Sequence, residues 1–151
     1  MCLTPLWLGS CGYPELPRNA EQFGQVQEVV DQIVVTHARL VRLTVHAVPA
    51  GQTESKIIAC NIREKIGKTS DPEDIDAMRT RKPVILREGT NLDVTMPILN
   101  DAGQVIGATG ITFRDDGSGD ENELIAEARR IAEEVAAGIQ SAKDFPDDEN
   151  P

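Results

Sequence analysis

The side chains best equipped for chemistry in this chain fall at strand spacing. Arg42 and His46 share one face of an alternating run whose other face is Val41, Leu43, Val45 and Ala47. A histidine there can donate to an anion, and an arginine can hold a carboxylate in its planar fork. Arg87, between Leu86 and Glu88, has the opposite parity to Val84 and Leu86 and offers the same fork from a second short run. Asn91, Asp93 and Thr95 alternate on a third run, and Thr109 on a fourth can join them. These seven residues, Arg42, His46, Arg87, Asn91, Asp93, Thr95 and Thr109, are the candidate ligand-binding set, suited to an organic acid or a similar polar molecule. Each also has a plainer reading. A lone strand histidine is often simply half-buried, three small polar groups in alternation can face solvent, and Asp93 beside Arg87 most simply makes a cross-strand ion pair.

Catalytic chemistry finds little footing. Only His37 and His46 could act as near-neutral bases without a large shift, and no serine or cysteine motif accompanies either. Cys60 sits in an apolar run and reads as a small buried residue, and the three cysteines show no CxxC or zinc-type spacing. Asp71, Glu73, Asp74 and Asp76 open a short helix, where acids first serve the positive end of the helix dipole. Gly67-Lys68-Thr69 lacks the upstream glycine of a phosphate-binding loop, so Lys65 and Lys68 read as solvated loop residues. No catalytic residue, metal ligand or cofactor is expected.

The bulk numbers narrow the classes further. The chain has 151 residues and a net charge of −10, enough for one domain with its own core. Most of the acidic surplus falls after Arg114, which opposes binding to a polyanion, and three Phe, one Tyr and one Trp are too few for base-stacking platforms. No apolar stretch approaches the roughly 20 residues that span a bilayer. Leu8-Gly9-Ser10-Cys11 loosely resembles a lipobox, but the apolar run before it is short and no basic region precedes it. Residues 1–18 are therefore expected to form an irregular extension, residues 19–143 a single domain, and residues 144–151 an acidic disordered tail. Whether Met1 is the true start and Cys11 a lipidation site stays open, with an extracytoplasmic setting slightly favoured.

The elements that must position these residues are legible from periodicity. Asn19 is a plausible cap for a helix ending near His37, with Phe23, Val26, Val29, Val30, Ile33 and Val34 on one face. Strands follow at 40–48 and 56–60. Asp71-Pro72 opens a short helix anchored by Ile75 and Met78. Strands at 84–88, 91–99 and 104–113 come next, the last two joined through Asn100-Asp101-Ala102-Gly103. Gly107 and Gly110 inside the last strand imply a bend or a close approach. A helix over 121–142 closes the chain, its stripe made by Leu124, Ile125, Ala128, Ile131, Ala132, Val135 and Ile139. This order predicts an α+β fold: a five-stranded, mainly antiparallel, PAS-like sheet with both long helices on one face and the short helix and its loop on the other. The thinly covered face is where a pocket can form.

Two groups of segments resemble a known family. Ile57-Ile58-Ala59-Cys60-Asn61-Ile62, Lys65-Ile66-Gly67-Lys68 and Ser70-Asp71-Pro72-Glu73-Asp74 form the first. Asp93-Val94-Thr95-Met96-Pro97-Ile98 and Asp101-Ala102-Gly103-Gln104-Val105-Ile106-Gly107-Ala108 form the second. In this order they resemble the middle of a Cache domain, the PAS-like sensor module found largely outside the bacterial cytoplasmic membrane. The resemblance covers about residues 21–114. It implies non-enzymatic sensing of small carboxylates, amino acids or other metabolites as part of signal transduction. The same element order also fits a roadblock- or profilin-like interaction module without a ligand, and a homodimer through the long helices suits either.

Overall fold

The computed structural model describes residues 23–117 and 119–146. The expected extension at 1–18, the Asn19 cap, Cys2, Cys11 and residues 147–151 lie outside the described residues.

Helix α1 (Gly24–Thr36) buries Val26, Val30 and Ile33, spaced by four and three, which is one stripe of a 3.6-residue repeat. Strands β1 (Leu40–Ala47) and β2 (Lys56–Cys60) follow. A single 3₁₀ turn (Arg63–Lys65) leads toward helix α2 (Pro72–Thr80). Strands β3 (Val84–Glu88), β4 (Asn91–Leu99) and β5 (Val105–Arg114) complete the sheet. Helix α3 (Glu121–Ser141) starts from Asp120, whose side chain accepts from Asn122 N at 2.9 Å, and buries Leu124, Ala128, Ile131, Val135 and Ile139.

The strand order is β2-β1-β5-β4-β3 and all neighbours are antiparallel. The two faces differ in chemistry because side chains alternate along each strand. Leu43 and Val45 of β1, Leu92, Val94 and Met96 of β4, and Ile111 and Phe113 of β5 join the stripes of α1 and α3 in one apolar core. Arg42, Thr44 and His46 are in register with Thr112, Gly110 and Ala108, and Asp93 and Thr95 with Thr112 and Gly110. That second face is polar, and α2 packs on it through β3, β4 and β5.

One expectation changes here. Ile75 does not anchor α2: it is 41 % exposed, and the helix turns Asp74 and Ala77 inward instead. The surface α2 meets is polar, so a carboxyl and a methyl fit where a branched chain would have no apolar partner. Asp144 and Phe145, which the sequence places in the tail, contact the rest of the domain. Asp144 Oδ2 accepts from Gln25 N at 2.7 Å, Lys143 N donates to Gln25 Oε1 at 2.8 Å, and Phe145 is buried in the core.

Gly107 marks a close approach. A Cβ there would collide with the main-chain carbonyl oxygen of His46, which no rotamer change relieves. Gly107→Ala should therefore destabilise the fold by about 2 kcal/mol or more. Gly24→Ala, at a position opening onto free space in a helix, should be neutral or slightly stabilising. Thermal denaturation of the two variants beside the parent checks both outcomes.

Candidate functional site

The polar face of the sheet does not point into open water. Thr44, His46, Asp93, Thr95 and Thr112 are all less than 7 % exposed. A recess of about 200 Å³ lies above them, lined from β1 by Arg42, Thr44 and His46, from β4 and β5 by Asp93 and Gly110, and from β2 by Ile57. Lys65, Asp71, Glu73, Asp74 and Glu88 close it from the 3₁₀ turn, α2 and the end of β3. Gly110 keeps it open: a Cβ there would stand 2.5 Å from Thr44 Oγ1 and within 4 Å of His46 Nε2 and Asp74 Oδ1.

A continuous hydrogen-bond chain forms the floor. Ser55 Oγ and Ser70 Oγ are 2.8 Å apart, Ser70 Oγ is 2.9 Å from His46 Nδ1, and His46 Nε2 is 2.8 Å from Thr44 Oγ1. Thr44 Oγ1 in turn donates to Gly110 O at 3.3 Å. Every member is satisfied when His46 carries its proton on Nε2, with Ser70 donating to Nδ1. The imidazole thus serves as a neutral relay. Burial, reinforced by the nearby Arg42 charge, pulls it from its ordinary 6.5 down to about 4.

Asp74 hangs from α2 onto this floor. Its Oδ2 accepts from Asp71 N at 2.9 Å and lies 3.4 Å from His46 Nδ1, while Thr95 Oγ1 donates to its Oδ1 at 3.4 Å. Burial pushes this carboxyl up from 3.8 to about 7, and the charges of Glu73, Asp71 and Asp93 act in the same direction. Asp93, also raised by burial, accepts from Thr112 Oγ1 at 2.9 Å and from the Arg42 guanidinium at 3.4 Å.

The structure brings Arg42, His46 and Asp93 to the recess, with Thr95 beside Asp74 in its wall. Arg87 and Thr109 go elsewhere. The β3–β4 register sets Leu86 opposite Asp93 and Arg87 opposite Leu92, which turns Arg87 to the helix-covered face. There its guanidinium donates to Asp115 Oδ2 at 2.7 Å and to Glu121. That contact depresses the Asp115 carboxyl and raises the guanidinium. The expected Arg87–Asp93 pair is replaced by Arg42–Asp93. Thr109 is in register with Val45 and Met96 on the same apolar face, its hydroxyl donating to Thr44 O at 2.9 Å. Asn91 pairs with Glu88 and Arg114 at the sheet end and does not line the recess.

Thr44 was within reach of sequence reasoning, since it shares parity with Arg42 and His46. Asp74, Glu73 and Glu88 were not: nothing in a run of acids at a helix start tells which one the helix turns toward the sheet.

Cys60 is fully buried beside Ile57 and Ile66. Ile62 N donates to its Sγ at 3.3 Å, and desolvation pushes the thiol up. Glu73, Glu88 and Asp93 place carboxylate oxygens within 4.8 Å of one another. Among the described residues, no helix is long and apolar enough to cross a membrane.

No protein-family model matches the chain, and no curated protein sequence does. Solved structures do match in fold. A GAF sensor protein from Burkholderia vietnamiensis superposes with a TM-score of 0.58 at 14 % identity, covering 87 % of this chain and 85 % of that one. A type II free methionine-R-sulfoxide reductase from Thermoplasma acidophilum gives 0.54 at 14 % identity, over 82 % and 96 %. The inducer-binding domain of the PobR transcription factor from Acinetobacter, in complex with 3-hydroxybenzoic acid, gives 0.53 at 10 % identity, over 78 % and 97 %. GAF domains recur among the other matches. The Cache resemblance is thereby corrected: the fold is GAF-like, and the matched segments lie on the β2–α2 connection and the β4–β5 hairpin, which PAS-like sheets have in common. With that resemblance goes the family ground for an extracytoplasmic setting.

Proposed function

We propose that the chain is a sensing domain that binds a small polar molecule in the recess between the polar sheet face and α2. The observation that carries this reading is the recess itself: about 200 Å³ of polar space above buried groups whose hydrogen bonds are already satisfied by one another. Such a floor is preorganised, and a ligand displaces water from it without breaking the fold. The volume is below the roughly 300 Å³ of drug-sized pockets, so the ligand has few heavy atoms. GAF sensor domains among the structural neighbours favour the same class of role. One neighbour is a reductase, yet Cys60 is enclosed, hydrogen-bonded and held as a thiol, which serves thiol chemistry poorly.

A thermal-shift screen of small acids, amines and amides tests the reading. At a hundredfold excess over its dissociation constant a true ligand should stabilise the protein by about 2.7 kcal/mol, a rise of several degrees. Glu88→Trp, at the exposed rim of the recess, should leave the unliganded Tm nearly unchanged and weaken the hit at least tenfold. No stabilisation by any of the three classes, or equal affinity in Glu88→Trp, would overturn it. In that case a dimer seen by light scattering would point to the interaction-module alternative.

A further inference from the structure

The charges around the recess are lopsided. Five carboxyls face it, from Asp71, Glu73, Asp74, Glu88 and Asp93, against the cations of Arg42 and Lys65. Arg42 already leans on Asp93. Among the described residues Glu73 and Glu88 have no ion-pair partner, although each brings an oxygen within 4.8 Å of the other's carboxylate and of Asp93. An organic acid entering here meets a surplus of its own charge, so the expected carboxylate ligand is the class the recess suits least.

Resting on the reading that the recess is a ligand site, we propose that its occupant is a compact organic cation, an alkylammonium of a few heavy atoms, and that its capture releases a proton from the Asp74 carboxyl, which stands beside His46 in the wall. The cavity and the position of that pair in its wall carry the argument. Asp74 is 7 % exposed and is touched by Asp71 N of its own helix, His46 from β1 and Thr95 from β4. Charged groups face it from every side: Asp71 and Glu73 on α2, Arg42 on β1, Asp93 on β4, Glu88 on β3 and Lys65 on the 3₁₀ turn. In the empty recess the carboxyl near pH 7 is partly protonated, because burial and the surrounding acids oppose its charge. An ammonium ion set among those acids reverses the balance and favours the carboxylate. His46 does not take up the proton, since its burial and the incoming cation both oppose a second positive charge. The proton therefore passes to buffer: a protonated Asp74 and a free ammonium become an ammonium–carboxylate pair and one hydrated proton. With Asp74 near 7, about half a proton is released per ligand at pH 7 and close to one at pH 6, and affinity rises by up to about tenfold per pH unit until Asp74 is fully ionised.

Isothermal titration calorimetry of the full chain at pH 6.5 tests both halves, with butylammonium, butyrate and butyramide as shape-matched probes and calcium chloride as the inorganic alternative. Butylammonium should bind at least tenfold more tightly than its two analogues. Its heat should differ between phosphate and bis-tris by the number of protons released multiplied by the difference between the two buffers' ionisation enthalpies. Asp74→Asn should still bind it, with the same heat in both buffers. Binding of butyrate or butyramide in preference, or of calcium alone, would overturn the cation class while leaving the recess a ligand site. Equal heats in both buffers for the parent would overturn the proton coupling. Binding by none of the probes, together with a blank thermal-shift screen, would sink this proposal and the sensing reading together.

Discussion

Asp74→Asn should stabilise this protein at pH 8 and confer almost no advantage at pH 4. Asp74 is a carboxyl whose folded value, about 7, lies above its ordinary 3.8 because burial disfavours the charge. A raised carboxyl value means that the native state holds the proton over the interval where the unfolded chain has lost it. Its contribution to stability is complete below about pH 4 and is lost as pH rises through 7. Each unit of separation corresponds to about 1.4 kcal/mol; discounted for the solvent screening of a carboxyl at the edge of a recess, the loss is roughly 2–4 kcal/mol. Asparagine keeps an acceptor for Asp71 N and offers an amide N–H toward Thr95 Oγ1, the two contacts that hold the carboxyl, and it has no charge to desolvate. His46 acts in the opposite sense. Its folded value of about 4 lies below 6.5, so acid favours the unfolded chain between those limits, and removing Asp74 exposes that trend. The variant should therefore lose stability on acidification from pH 6.5 to 4 more steeply than the parent. At roughly 3 °C per kcal/mol for a chain of this size, the Tm difference between variant and parent should grow by about 6–12 °C from pH 4 to pH 8. A difference that is flat or shrinks as pH rises would show that the native state does not hold this proton. Asp93 and Asp115 titrate in both proteins and cancel in the comparison to the extent that they are independent of Asp74.

The same residue marks where the sequence stops being informative. Spacing alone places α1 and α3, because Val26, Val30 and Ile33, and Leu124, Ala128, Ile131, Val135 and Ile139, repeat at the helical period and have an apolar sheet face to meet. Alternation places the strands, and it groups Arg42 with His46 correctly. Alternation cannot tell a polar face that meets water from one roofed by a helix, since both read as every second residue polar. Only the docking of α2 makes that distinction, and it docks by Asp74 and Ala77 in place of the apolar Ile75. Arg87 shows a second limit. On a five-residue edge strand that is mostly exposed, both parities look alike, and only the pairing of Leu86 with Asp93 turns the guanidinium away from the recess. The family resemblance misled for a related reason: a proline followed by an Asp-x-Gly hairpin reports a β4–β5 connection, and that connection is common to folds with different histories.

Phe145→Ala should cost about 3 kcal/mol, at the low end of the range for a buried phenylalanine, although acidity and proline argue from sequence for a disordered end. The ring is 7 % exposed and belongs to the main core. Its Cζ stands 3.4 Å from the place where a Cβ on Gly107 would sit, so it fills space above the strand position that closes against His46. Two hydrogen bonds hold the segment to the start of α1: Asp144 accepts from Gln25 N and Lys143 N donates to Gln25 Oε1. The ends of the described fold are thus fastened to each other and to β5, and β5 also contributes Gly110 to the recess. The local chain can relax after truncation, which keeps the expected cost toward 3 kcal/mol and away from the roughly 5 kcal/mol of a rigid site. Urea denaturation of Phe145→Ala should show a lower midpoint with an unchanged slope. A midpoint equal to the parent's would mean that the ring contributes no net burial and that the fold ends at α3. Should Phe145→Ala also weaken whichever probe occupies the recess, the path runs through β5: the ring supports Gly107, and Gly107 lies three residues from the glycine that keeps the recess open.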